Sequence, residues 1–248
     1  MKLSVLYILF VFLLLGCSQT NKSQNTSAPV ALKPSKAKII APHKEQQNTL
    51  GYQQSPINIP SEYQCKYTKN HLVDFHYRPS HEKIINTGHT IKMEYEAGSD
   101  VMYDRAKFNL KQFHFHTPAE HHIQGIIYPM EMHLVHQSTK GNYLVIGLMF
   151  KEGKENTTLA KLLKDTPKHQ GKINSDHLIN AANLLPQSRH FYTYQGSFTT
   201  PPYTEGVRWL ILQEIIEASA QQIRLFRQLE GENIRANQQL FDRVVERF

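Results

Sequence analysis

Two short stretches carry histidines at the spacing of a strand. From Lys111 to His116 polar and aromatic residues alternate, and from Met130 to Val135 the alternation returns, with His133 seventeen residues beyond His116. A period of two marks a half-buried strand, so Gln112, His114 and His116 share one face of the first stretch, and Glu131, His133 and Val135 share one face of the second. As antiparallel neighbours, the two stretches would bring His114, His116 and His133 together. Three neutral imidazole nitrogens leave one tetrahedral position on Zn²⁺ for water, the donor set of a catalytic rather than a structural site. Gln112 and Glu131 stand where they can hold a ligand ring in one tautomer through its second nitrogen.

A second metal pattern overlaps the first. In His114-x-His116-x-x-x-Glu120 the acid would itself be a ligand, as in the cupin pattern, and these residues alone leave both readings open. His71, His76 and His81 are spaced by five, which neither a helix nor a strand aligns on one face. The elements that must hold the histidines are legible in outline. Ser219 to Arg227 reads as a capped amphipathic helix, and Asn156 to Leu163 and Ser175 to Leu184 show similar polar starts and apolar residues three or four apart. Tyr194 and Trp209 fall in strands either side of Thr199-Thr200-Pro201-Pro202.

The whole chain has 248 residues, 40% hydrophobic and 20% charged, enough for a sizeable core and too apolar for a wholly disordered chain. No repeat of fixed period is present, which excludes solenoids and collagen. Two cysteines exclude a disulfide scaffold. At the start, Lys2 precedes a largely apolar run from Leu3 to Leu15, shorter than the about 20 residues of a membrane span and read as a signal peptide. The run ends in Leu14-Leu15-Gly16-Cys17, which resembles the lipobox of bacterial lipoproteins. The expected organisation is a signal peptide at 1–16, an acylated Cys17 with a flexible tether at 17–48, and a folded domain at 49–248. Lys22, Lys33, Lys36, Lys38 and Lys44 place part of the +7 formal charge in that tether, beside a lipid bilayer. No basic helix or RNA-binding signature accompanies it, so no nucleic-acid partner is expected. The location implied is extracytoplasmic and lipid-anchored. Ser18 after the cysteine favours the outer membrane or periplasmic face if the cell is Gram-negative.

Gln54-Ser55-Pro56-Ile57-Asn58-Ile59, Gln112-Phe113-His114-Phe115-His116, Glu131-Met132-His133-Leu134-Val135-His136 and Gly196-Ser197-Phe198-Thr199-Thr200-Pro201-Pro202, in this order, resemble the α-class carbonic anhydrases. The resemblance runs from about Gln53 to Arg243, and no cupin carries that set. It implies a β-dominated α+β fold: a large, mostly antiparallel central sheet of about ten strands with short peripheral helices. It also implies reversible hydration of CO₂ to bicarbonate by a zinc-bound hydroxide, with His114, His116 and His133 as zinc ligands. Glu120 would accept a hydrogen bond from Thr199, which orients the hydroxide, and Thr200 would help hold bicarbonate. Val135, Val145, Phe198 and Trp209 would line an apolar CO₂ pocket. His89 would shuttle protons, since a free imidazole titrates near neutrality. Asn233 would orient a zinc-bound imidazole through its backbone carbonyl, which makes its side chain a poor mutational probe. A zinc-binding surface protein with little turnover, and an esterase using the same hydroxide, are the rival readings.

The chain departs from the family's pattern in three places. Before Gln54 there is no Trp-(Ser/Gly)-Tyr opening. Many secreted bacterial members join a cysteine ahead of the Gln-Ser-Pro motif to one after the Pro-Pro pair, where this chain has Tyr203; Cys65 is expected to be a buried, inert thiol. Near the end, Arg235-Ala236-Asn237 lacks two prolines expected around that arginine. His121, His122 and His136 are expected to be structural or surface residues.

Overall fold

The computed structural model describes residues 51–69 and 73–248. The residues of the expected signal peptide and tether, Cys17 among them, and His71 lie outside the described residues. Ten strands form a continuous path through a 13-stranded sheet, in the order β12 (Gly171–Ile179), β4 (Ser80–Asn86), β5 (Ile91–Glu94), β7 (Ala106–His116), β10 (Met130–Gln137), β11 (Tyr143–Glu152), β14 (Glu205–Leu212), β13 (Phe191–Ser197), β16 (Glu246–Arg247) and β2 (Lys66–Tyr67). β3 (Val73–His76), β6 (Asp100–Tyr103) and β15 (Ile216–Ala218) pair off this path, and β1 (Asn58–Ile59), β8 (His122–Ile123) and β9 (Ile126–Ile127) make a separate small sheet. Most pairings are antiparallel, as expected. The exceptions in the large sheet are β11 with β14 and with β15, and β16 with β2.

The alternation read in the sequence sorts residues to the two faces of the sheet. On one face Phe113, Phe115, Met132 and Leu134 are fully buried in a core, each burial being worth roughly 1.5–3 kcal/mol. Two helices close that core: α1 (Thr157–Asp165) and α2 (Ala220–Glu230), whose Phe226 ring lies 4.3 Å from that of Phe115. Both start as their sequences predict. The Asn156 side chain accepts from the amides of Thr158 and Leu159, and Ser219 forms a reciprocal capping box with Gln222. Gly231 ends α2 with φ 70°, a backbone angle that favours glycine.

The helix expected over Ser175 to Leu184 is not there. Its first part belongs to β12, and only Ala181–Leu184 forms a short 3₁₀ turn, capped by Asn180. β12 is the edge strand of the path and mostly exposed. Its alternation is therefore weak, and pairing with β4 decides its conformation.

On the other face a second core gathers Val135, Val145, Tyr194, Trp209 and Ile211. Gln54 and Ser55 adjoin it, the Ser55 hydroxyl meeting Tyr194 Oη at 2.8 Å. The Arg235 guanidinium stacks 3.7 Å from the centre of the Tyr203 ring and donates to Gln54 Oε1 (2.9 Å) and Ser55 O (2.7 Å). Gln54 Nε2 donates in turn to Tyr203 O (3.3 Å). Cys65 is buried and free, and burial raises its thiol pKa, in keeping with an inert thiol.

Candidate metal centre

Strand register assembles the site. His114 on β7 pairs directly with His133 on β10, which pairs with Gly147 on β11. One row along, Gln112, Val135, Val145, Trp209 and Tyr194 line up across five neighbouring strands. Gly147 leaves space here: a Cβ at that position would lie 2.6 Å from Ile211 Cδ1 and 3.1 Å from Glu131 Oε1, so those side chains would have to shift.

The ligand-capable atoms of His114, His116 and His133 all lie within 4.8 Å of one another. Each ring has one nitrogen engaged. His114 Nδ1–H donates to Gln112 Oε1 (2.9 Å) and His116 Nδ1–H to the carbonyl of Asn233 (2.9 Å). His133 is reversed, its Nε2–H donating to Glu131 Oε1 (2.7 Å). The lone pairs left for a cation are therefore Nε2 of His114, Nε2 of His116 and Nδ1 of His133. Burial, and then the neighbouring imidazoles of His116 and His133, hold His114 well below the ordinary histidine range, so its ring is neutral at neutral pH. Burial also lowers His133, although Glu131 opposes that effect.

Glu131 is fully buried and accepts four hydrogen bonds: Glu120 N–H and His121 N–H on Oε2 (both 2.8 Å), and His121 Nδ1–H (2.8 Å) and His133 Nε2–H (2.7 Å) on Oε1. Burial alone would raise its pKa, but His121 and His133 pull it well below the usual carboxylate range. His121 Nε2 accepts from the Tyr194 hydroxyl (2.7 Å), so both nitrogens of this ring are used and it is structural. His136 is also buried and engaged, between Tyr77 Oη (2.7 Å) and Leu144 O (3.3 Å).

Two expectations need correction. The hydrogen bond from Thr199 to Glu120 is absent: Glu120 Oε1 accepts from Arg235 N–H (2.8 Å), while Oε2 has no partner and leans to within 3.5 Å of His116 Nε2 and 4.0 Å of His133 Nδ1. The side chain of Asn233 does have a part. Its Oδ1 accepts from Thr117 N–H (3.0 Å) and its Nδ2 donates to Phe115 O (2.9 Å), fastening the carbonyl that meets His116 to the end of β7. The donor to Glu120 is the Arg235 amide. A backbone donor leaves no trace in residue type.

A cleft of about 290 Å³ opens over the three histidines. Val135, Val145, Phe198 and Trp209 form its apolar wall, and Thr199, Thr200, Gln112, Lys92, Thr87 and Thr90 the polar remainder. His89 is exposed on the turn between β4 and β5, flanked by Thr87 and Thr90 and not itself part of the lining. Unpartnered and buried, His116 Nε2 and Glu120 Oε2 face one small volume beside two further imidazoles. That donor set fits Zn²⁺.

A three-histidine centre in a cleft on a large, mostly antiparallel sheet defines a metalloenzyme class. The model of the eukaryotic-type carbonic anhydrase family matches residues 41–248. A carbonic anhydrase of Nostoc sp. is 40% identical over 200 residues, covering 79% of this chain and 76% of that protein. One from Neisseria gonorrhoeae is 37% identical over 197 residues, covering 79% and 77%. Among solved structures, the α-carbonic anhydrase of Thermovibrio ammonificans in complex with the inhibitor sulfanilamide superposes with a TM-score of 0.77 at 40% identity, over 79% of this chain and 87% of that one. The chain belongs to the α-carbonic anhydrase family. It is a carbonic anhydrase and interconverts CO₂ and bicarbonate. Enzymes of this family are zinc enzymes.

Proposed function

We propose that His114 and His116 through Nε2 and His133 through Nδ1 hold the zinc ion of this enzyme, and that the enzyme is displayed outside the cytoplasm on a lipid anchor. The observation that carries the metal assignment is tautomeric: each ring spends one nitrogen on a fixed acceptor, and the three remaining nitrogens converge. Zinc, when bound, acts as a Lewis acid on coordinated water, chemistry for which carbonic anhydrases are the standard example. Gln112, Glu131 and the carbonyl of Asn233 hold the rings at fixed angles. The wall of Val135, Val145, Phe198 and Trp209 suits a nonpolar substrate and disfavours an anionic product. The hydroxyls of Thr199 and Thr200 lie on the same cleft and can donate to bicarbonate oxygens. Glu120 Oε2, buried and without a partner, adds negative charge beside the His116 and His133 rings.

His89 is the proposed proton carrier, on an exposed turn whose neighbours Thr87 and Thr90 reach the cleft. Stopped-flow CO₂ hydration in weak buffer tests the reading. The wild-type chain should far exceed free zinc at equal concentration, and His89→Ala should be slower by roughly tenfold or more, with part of the loss recovered in imidazole buffer. A wild-type rate no better than free zinc would favour a metal-binding surface protein. A His89→Ala rate matching wild type in every buffer would assign the proton to another group.

The anchor rests on the Leu14-Leu15-Gly16-Cys17 motif and the polar stretch that follows it. In this organisation residues 1–16 are removed, Cys17 is acylated, 17–48 tether, and 49–248 form the catalytic domain. Acyl chains at about 0.8 kcal/mol per buried methylene then retain the enzyme at the bilayer. Cys17→Ser should abolish incorporation of labelled palmitate and move the protein out of the detergent phase on Triton X-114 partition. Unchanged partition would remove the anchor from the reading.

A further inference from the structure

Away from the cleft, three potential ligands meet beneath the edge strand. Glu82 on β4 shares its face with Ile84, and its side chain is completely buried. Neither of its carboxylate oxygens has a hydrogen-bond partner. Asp165 closes α1, and its Oδ2 lies 2.6 Å from His177 Nδ1. The same nitrogen lies 4.0 Å from Glu82 Oε2, and one ligand-capable atom from each residue falls within 4.8 Å of the other two. Among the described residues no lysine or arginine forms an ion pair with either acid.

His177 reaches this point because β12 is irregular. Its register against β4 shifts between Ser175 and Leu178. Asp176 and His177 are left unpaired, and His177 N–H turns back to Ser175 Oγ (3.0 Å). Extra residues of this kind bend a strand and re-aim its side chains, and they recur beside functional sites. Burial and the adjacent Asp165 carboxyl push Glu82 up to about 7. The two acids face one another beneath a helix end, with His177 Nδ1 2.6 Å from one and 4.0 Å from the other.

We infer that Glu82, Asp165 and His177 form a second divalent-metal site, distinct from the three-histidine centre, that takes zinc or a similar borderline first-row ion. Two carboxylates and one imidazole are the donors such an ion prefers. A hard cation such as calcium asks for more oxygens, and no thiolate is present for a soft one. The site is loaded from outside, because His177 is about two-thirds exposed (65%) and Asp165 partly so (19%). β5 lies between β4 and the histidine strand β7. Occupancy would therefore brace α1 and the edge strand rather than take part in hydration.

Equilibrium dialysis of the full chain followed by elemental analysis tests this. After dialysis into metal-free buffer the chain should keep one zinc ion, and at micromolar free zinc it should bind a second. His177→Ala and Asp165→Asn should each keep the first and lose the second, with CO₂ hydration within about twofold of wild type. Glu82→Gln should do the same, and His177→Ala serves if that buried substitution fails to fold. His114→Ala should still bind one ion at micromolar zinc, which separates this site from the catalytic one. Equal zinc counts in wild type and His177→Ala across the titration would overturn the assignment and leave the cluster a carboxyl pair sharing a proton.

Discussion

Replacing His114 with alanine should strip the enzyme of its tightly held zinc and of its activity together. The other two rings cannot compensate, because their second nitrogens are committed to Glu131 and to the carbonyl of Asn233. Losing a Lewis acid that supplies several kcal/mol of transition-state stabilisation lowers the rate on the order of a thousandfold or more. The fold should survive. His114 opens onto the cleft, so the substitution removes surface there without hollowing the core. Metal analysis, CO₂ hydration and far-UV circular dichroism on one preparation check all three statements. Full activity with stoichiometric zinc would refute the assignment of this ligand, whereas a collapsed dichroism spectrum would assign the ring a structural duty instead.

The second large effect is expected at Glu131, which touches one of the three rings and supports it from below. Glu131→Ala leaves buried, without an acceptor, the amides of Glu120 and His121 and the ring N–H groups of His121 and His133. Breaking a buried, hydrogen-bonded charged network of this kind costs about 3–5 kcal/mol. For a domain of this size that corresponds to a melting temperature lower by roughly 6–20 °C. His133 would also lose the acceptor that fixes its tautomer, so zinc affinity should fall by about 10–100-fold. Thermal denaturation and competition against a chromogenic chelator measure the two effects separately. A variant that melts early but binds zinc as tightly as wild type would show that Glu131 serves the fold alone.

What the sequence made legible follows from where the physics is local. The alternation of Lys111–His116 and Met130–Val135 survives in β7 and β10 because each strand must divide its residues between two different faces. The caps Asn156 and Ser219 act within one helical turn, and both helices begin where those residues predict. Ser175–Leu184 misled for the complementary reason. Its apolar residues have helical spacing, yet the edge of a sheet claims Gly171–Ile179 through pairing with β4, far away in sequence. The parallel contact of β11 with β14 is equally invisible locally. At the site, residue types pointed to the imidazoles and Glu131. They could not reveal that the amide of Arg235 occupies the Glu120 oxygen nearest to it, nor that both ends of the Asn233 side chain are bonded.

The clamp of Arg235 on Tyr203 and Gln54 bears on where this enzyme can be assembled. The start of the domain is joined to the loop after Pro201-Pro202 by a stacked guanidinium and amide hydrogen bonds, groups that glutathione and dithiothreitol do not attack. Closure of this molecule therefore asks nothing of an oxidising chaperone. The catalytic domain can mature in the reducing interior of an expression host as well as in an oxidising compartment.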